Sequence, residues 1–62
     1  MKVKHLIDIM SDFQEVRVYD PLDRCIASGK MIDVYYNEKV ADKEIFLIMP
    51  QKDSLSVITK TC

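Results

Sequence analysis

Apolar and polar positions divide the chain into a one-sided helix followed by strands. Val3, Leu6, Ile7, Met10 and Phe13 recur at the three-and-four spacing that lines one face of a helix, which predicts an amphipathic helix from about Val3 to Asp12. Ile9 widens that stripe, Lys4 and Asp8 stand four apart on the polar side, and Ser11, Asp12 and Gln14 form a polar exit. From Glu15 the period changes to two. Val16 and Val18 alternate with Arg17 and Tyr19 up to Asp20, as on a half-buried strand. Asp20-Pro21-Leu22-Asp23 carries turn chemistry: an aspartate that can bond nearby backbone, then a proline whose φ is already set. Arg24 to Ser28 can then return antiparallel to the first strand. Gly29, the only glycine, is expected at a bulge or kink that needs a positive φ.

Met31 to Tyr36 places Ile32, Val34 and Tyr36 on one side and Met31, Asp33 and Tyr35 on the other, and reads as a further extended stretch. Asn37 to Lys43 is a polar connection with a turn of helix around Glu38 to Ala41. The last third is a hairpin, Glu44 to Met49 with Ser54 to Lys60, closed by Pro50 to Asp53. Its first strand contains Ile45-Phe46-Leu47-Ile48-Met49, apolar at every position, and such a strand wants cover on both faces. A single helix covers one. These five residues are therefore expected in the core or at an oligomer interface, with a homodimer the simplest assembly. The expected fold is α+β: one N-terminal amphipathic helix packed on a small, mainly antiparallel sheet of three to four strands, two layers in one domain over residues 1–62.

Composition narrows the function classes. At 62 residues the chain is near the size at which folding buries only about 60% of the unfolded surface, so its stability margin is thin. Cys25 and Cys62 are the only cysteines, and neither belongs to a C-x-x-C pair or neighbours the single histidine, so two reduced thiols in a cytoplasmic protein are expected. The net charge of −1 disfavours a general nucleic-acid binder. No apolar run approaches the ~20 residues of a membrane helix, and acidic residues interrupt any signal-peptide core near the start. Between Asp8 and Glu44 nine acids face five bases, an excess suited to a basic partner.

Reaction chemistry finds little support in the residue pattern. His5 lies off the apolar stripe, and no local motif joins it to Cys25 as nucleophile and base. Asp20, Asp23 and Asp33 lack calcium-loop spacing, and Ser28-Gly29-Lys30 is too short for a phosphate loop. No catalytic residue, cofactor or metal is expected, and the chain reads as no enzyme. Binding chemistry fares better. Tyrosine and arginine anchor many interfaces, and Arg17, Tyr19, Met31, Asp33 and Tyr35 are expected to share one exposed, partner-binding patch.

The order of the opening helix, Glu15-Val16-Arg17-Val18-Tyr19-Asp20, the turn, Gly29-Lys30, Asp33-Val34, Glu44-Ile45 and Leu55-Ser56-Val57-Ile58 resembles small accessory proteins encoded by phages and prophages. That resemblance spans nearly the whole chain. It implies an anti-defence setting, such as anti-CRISPR proteins, in which a non-catalytic inhibitor binds a host-encoded protein in the host cytoplasm. Two alternatives stay open: a module that sequesters a nucleotide signal through Arg17, Lys30 and a tyrosine, and a nucleic-acid-binding accessory protein.

Overall fold

In the computed structural model, which describes residues 1–60, a four-stranded mixed sheet carries short helices on one face. The strands are β1 (Glu15–Tyr19), β2 (Cys25–Lys30), β3 (Ile45–Pro50) and β4 (Leu55–Thr59), in the spatial order β2-β1-β4-β3. β1–β2 and β3–β4 are antiparallel hairpins, and the two hairpins join through a parallel β1–β4 ladder. The expected α+β class, both hairpins and the mainly antiparallel pairing are therefore present. Alternation along the central strands points Val16, Val18 and Val57 toward the helical layer. There they pack with Val3, Leu6, Met31, Val34 and Val40 in one core.

The long N-terminal helix is absent. Val3–Asp8 forms a 3-10 helix, and the chain has left it by Ile9. Three features favour this outcome. Lys2 at the start has no side-chain oxygen to cap the first turn, and Val3, Ile7 and Ile9 are β-branched. The start is also pinned in an extended form, because the Val3 N–H donates to the Lys43 carbonyl (3.0 Å) and Lys2 bridges Glu44. A period of three residues stacks Val3 above Leu6, and both are buried. Ile7 and Met10 are partly buried against the core, but Phe13 is exposed and lies outside the apolar face assigned to it.

The segment expected to be extended after Gly29 is helical instead: α1 covers Met31–Tyr35 and α2 covers Glu38–Ala41. A short run in which Met31 and Val34 are three apart fits a helix as well as it fits alternation, and tertiary contacts decide. The first N–H groups of α1 lack a side-chain cap. Those of Met31 and Ile32 donate instead to the carbonyls of Gln14 (2.8 Å) and Asp12 (3.0 Å) in the loop before β1. Asn37 then caps α2, its side chain accepting from the Lys39 N–H at 3.1 Å. Gly29 has φ +137, as its position suggested, yet it pairs in register with Val16 and the β1–β2 bulge falls at Val18/Tyr19.

Met31, expected on an exposed patch, has no exposed surface at all. Met31→Ala should cost about 2–5 kcal/mol by urea denaturation, while Tyr36→Ala on the solvent side should cost under about 1 kcal/mol. Equal small losses would place Met31 outside the core. A Cβ on Gly29 would find room, its nearest neighbour being an Asp33 carboxylate oxygen at 3.7 Å, so Gly29→Ala isolates the backbone strain. That substitution should destabilise by about 1–3 kcal/mol.

Candidate functional site

The sheet has two faces and the helices cover one. By alternation the other face carries Arg17 and Tyr19 from β1, Ser56 and Ile58 from β4, and Leu47 and Met49 from β3. In β3, Ile45 pairs with Thr59 and Leu47 with Ile58, which makes Phe46 the extra residue of a bulge. The bulge breaks strict alternation along the apolar run. Ile45 and Ile48 pack against the core, whereas Phe46, Leu47 and Met49 are 69%, 44% and 38% exposed. Phe46 and Ile58 also line a shallow depression of about 350 Å³ with Pro21, Asp23, Thr59 and Lys60. Ile58 was legible as an outward-facing apolar residue, because Leu55, Val57 and Thr59 alternate with it.

The patch expected from Arg17, Tyr19, Met31, Asp33 and Tyr35 is divided by the fold. Arg17 and Tyr19 stand two apart on the uncovered sheet face. Met31 is in the core, and Asp33 and Tyr35 belong to α1, whose Met31 and Val34 pack on the opposite face. Tyr36 is the more exposed of the adjacent tyrosines, and the two rings meet edge to face at 5.1 Å. Lys30 places its ammonium 5.2 Å from the centre of the Phe13 ring. His5 accepts at Nδ1 from the Lys2 N–H (3.2 Å), helping to cap the 3-10 helix, and Cys25 Sγ lies 3.5 Å from the Ala27 carbonyl. Cys62 lies outside the described residues.

Asp20, only 2% exposed, sits in the β1–β2 turn with both carboxylate oxygens hydrogen-bonded. Its Oδ1 accepts from the backbone N–H groups of Leu22 and Arg24, both at 2.9 Å, and its Oδ2 accepts from Arg24 Nε at 2.9 Å. The turn itself closes when the Asp23 N–H donates to the Asp20 carbonyl (3.0 Å), with Asp23 at φ +64. A three-residue loop of this kind needs a left-handed third position, which aspartate tolerates better than most residues. Asp20 is thus the turn former its position suggested. Elsewhere Lys4 reaches Asp42 at 2.8 Å instead of Asp8, a bond that raises the Lys4 pKa and lowers that of Asp42.

Among the described residues no three His, Cys, Asp or Glu side chains converge as a metal-binding group, and no helix is long and apolar enough to cross a membrane. The chain matches no family model, no curated protein and no solved structure.

The Arg24 N–H holds the Asp20 carboxyl below the ordinary aspartate value of 3.8, with the Leu22 N–H and the Arg24 guanidinium adding to it and burial opposing. A carboxyl whose folded pKa is depressed contributes stability above its unfolded pKa and loses it as the pH falls toward the folded one. The urea midpoint should therefore hold between about pH 7 and pH 5 and fall below about pH 4. Asp20→Asn should lower Tm by about 4–8 °C at pH 7 and flatten the acid limb. An acid limb of unchanged slope in that variant would remove Asp20 from this account.

Proposed function

We propose that the protein is a non-catalytic binding protein and that its uncovered sheet face is the contact surface, occupied first by a second copy of the chain. One observation carries the reading: Phe46, Leu47 and Met49 are exposed together on a strand whose remaining apolar residues are used by the core. Clustered exposed apolar side chains commonly mark interaction surfaces. Two such faces can stack as sheets do in a sandwich, about 10 Å apart, with apolar residues interleaved.

The sheet edges are less suited to the same task. β3 is an edge strand, but its beginning is met by Lys2 and by the Met1 carbonyl, which accepts from the Ile45 N–H at 2.8 Å, and its end is Pro50, which has no N–H. The opposite edge, β2, ends in the polar run Ser28-Gly29-Lys30. Face pairing is therefore the favoured mode. The resemblance to phage accessory proteins supplies the wider role in this proposal, in which the homodimer inhibits a host defence protein by surface contact.

Sedimentation of the intact protein across micromolar concentrations tests the face directly. The wild type should shift from monomer to dimer, and Phe46→Ser with Leu47→Ser should weaken that association by at least about tenfold while the circular dichroism spectrum is retained. A wild type that stays monomeric throughout, or a dimer indifferent to both substitutions, rejects the proposal.

A further inference from the structure

The residues from Glu38 to Lys43 sort their charges by helical spacing. Lys39 and Lys43, four apart, line one cleft together with Val40, while Glu38 and Asp42, also four apart, line another with Lys4, Tyr35, Tyr36 and Ala41. The first cleft has a volume of about 440 Å³, and Asp20, Arg24, Cys25 and Ile26 form its opposite wall. Three cationic residues, Arg24, Lys39 and Lys43, thus line one cleft together with a single carboxylate, Asp20. That carboxylate is already occupied, since Oδ1 accepts two backbone N–H groups and Oδ2 accepts Arg24 Nε. Arg24 keeps its terminal guanidinium nitrogens for another acceptor. Among the described residues neither Lys39 nor Lys43 has an ion-pair partner.

We propose that this cleft binds a small ligand bearing a phosphate monoester beside an apolar or planar body. The charge count favours a dianion, because three cationic residues and one carboxylate leave a formal charge of about +2 along the cleft lining. Arginine and lysine together suit phosphate: the guanidinium offers paired N–H groups, and the ammonium groups act as mobile point charges. Ile26 and Val40 supply an apolar lining for the rest of the ligand, and the volume is within the range of small-molecule sites. Asp20 contributes by fixing Arg24 at Nε, so the turn that closes the β1–β2 hairpin also sets one wall of the site. This surface is separate from Phe46, Leu47 and Met49, and its success or failure is independent of the dimer.

The test is a titration of the full-length, isotope-labelled protein, followed by amide chemical shifts at constant ionic strength. The probes are inorganic phosphate, adenosine 5′-monophosphate and adenosine. Phosphate and the monophosphate should give saturating shifts confined to the amides around Arg24–Ile26 and Lys39–Lys43, and adenosine should give none. Lys39→Gln with Lys43→Gln should weaken monophosphate binding by at least about tenfold, while Glu38→Gln with Asp42→Asn, on the other side of the helix, should not weaken it. If the double lysine variant loses spectral dispersion, Lys39→Glu alone replaces it, with the same weakening expected. Co-sedimentation with phosphatidylcholine vesicles, with and without phosphatidic acid, separates the two sources of the group: binding to the acidic vesicles without any response to soluble phosphate assigns the site to a lipid headgroup. Shifts spread evenly over all lysines, no saturation with either soluble phosphate together with no preference for the acidic vesicles, or a lysine variant that binds like the wild type overturns the proposal.

Discussion

The parallel pairing of β1 with β4 is the contact on which the rest of this structure depends. It joins Val16 to Leu55 and Val18 to Val57 across most of the chain, and the Thr59 hydroxyl adds a bond to the Tyr19 carbonyl at 3.2 Å. Parallel neighbours need a long crossover, and here the crossover contains β2, both α helices and β3. Each hairpin partner is consequently pushed to an edge, and the valines of the two central strands form the base of the core. The short helices have one task in this arrangement, which is to cover those valines.

That cover comes from side chains on three short elements, Val3 and Leu6, Met31 and Val34, and Val40, in place of a single long helix. Short helices are weak in isolation, because nucleation is costly and few hydrogen bonds repay it. Their ends are therefore tied to other parts of the chain: the first N–H groups of α1 to carbonyls at Asp12 and Gln14, and the start of the 3-10 helix to Lys43. Local preference would not choose these conformations alone. The sheet supplies the anchor points, and the helices form against it.

This explains which elements were legible in the sequence. The β1 strand, the Asp20 turn, the β3–β4 hairpin and the α2 turn are encoded by nearby residues, through alternation, a bonding aspartate and Pro50. The parallel ladder and the capping of α1 by the preceding loop involve residues distant in sequence, and no local pattern announces them. Met31 to Tyr36 was ambiguous for that reason: it satisfies period two, yet Met31 and Val34 also satisfy a helical turn. Once α1 is a helix, Met31 turns inward and the patch drawn through it with Arg17 and Tyr19 divides between the two sides of the sheet.

The apolar run Ile45 to Met49 shows how a small irregularity decides what is left for binding. Strict alternation would have placed Ile45, Leu47 and Met49 on one face and Phe46 and Ile48 on the other. The bulge at Phe46 instead lets Ile45 and Ile48 both reach the core, and Leu47 and Met49 follow Ile58 and Ser56 to the uncovered face. The extra residue is Phe46 itself, the most exposed side chain of the run. The chain thus fills its core with two of the five side chains and keeps three at the surface. An exposed patch of this kind costs solubility and contributes nothing to a monomer's core, so it makes physical sense where a contact covers it. The charge sorting along Glu38 to Lys43 follows the same logic on a polar surface, with a helical turn placing Lys39 and Lys43 in one cleft and Glu38 and Asp42 in another.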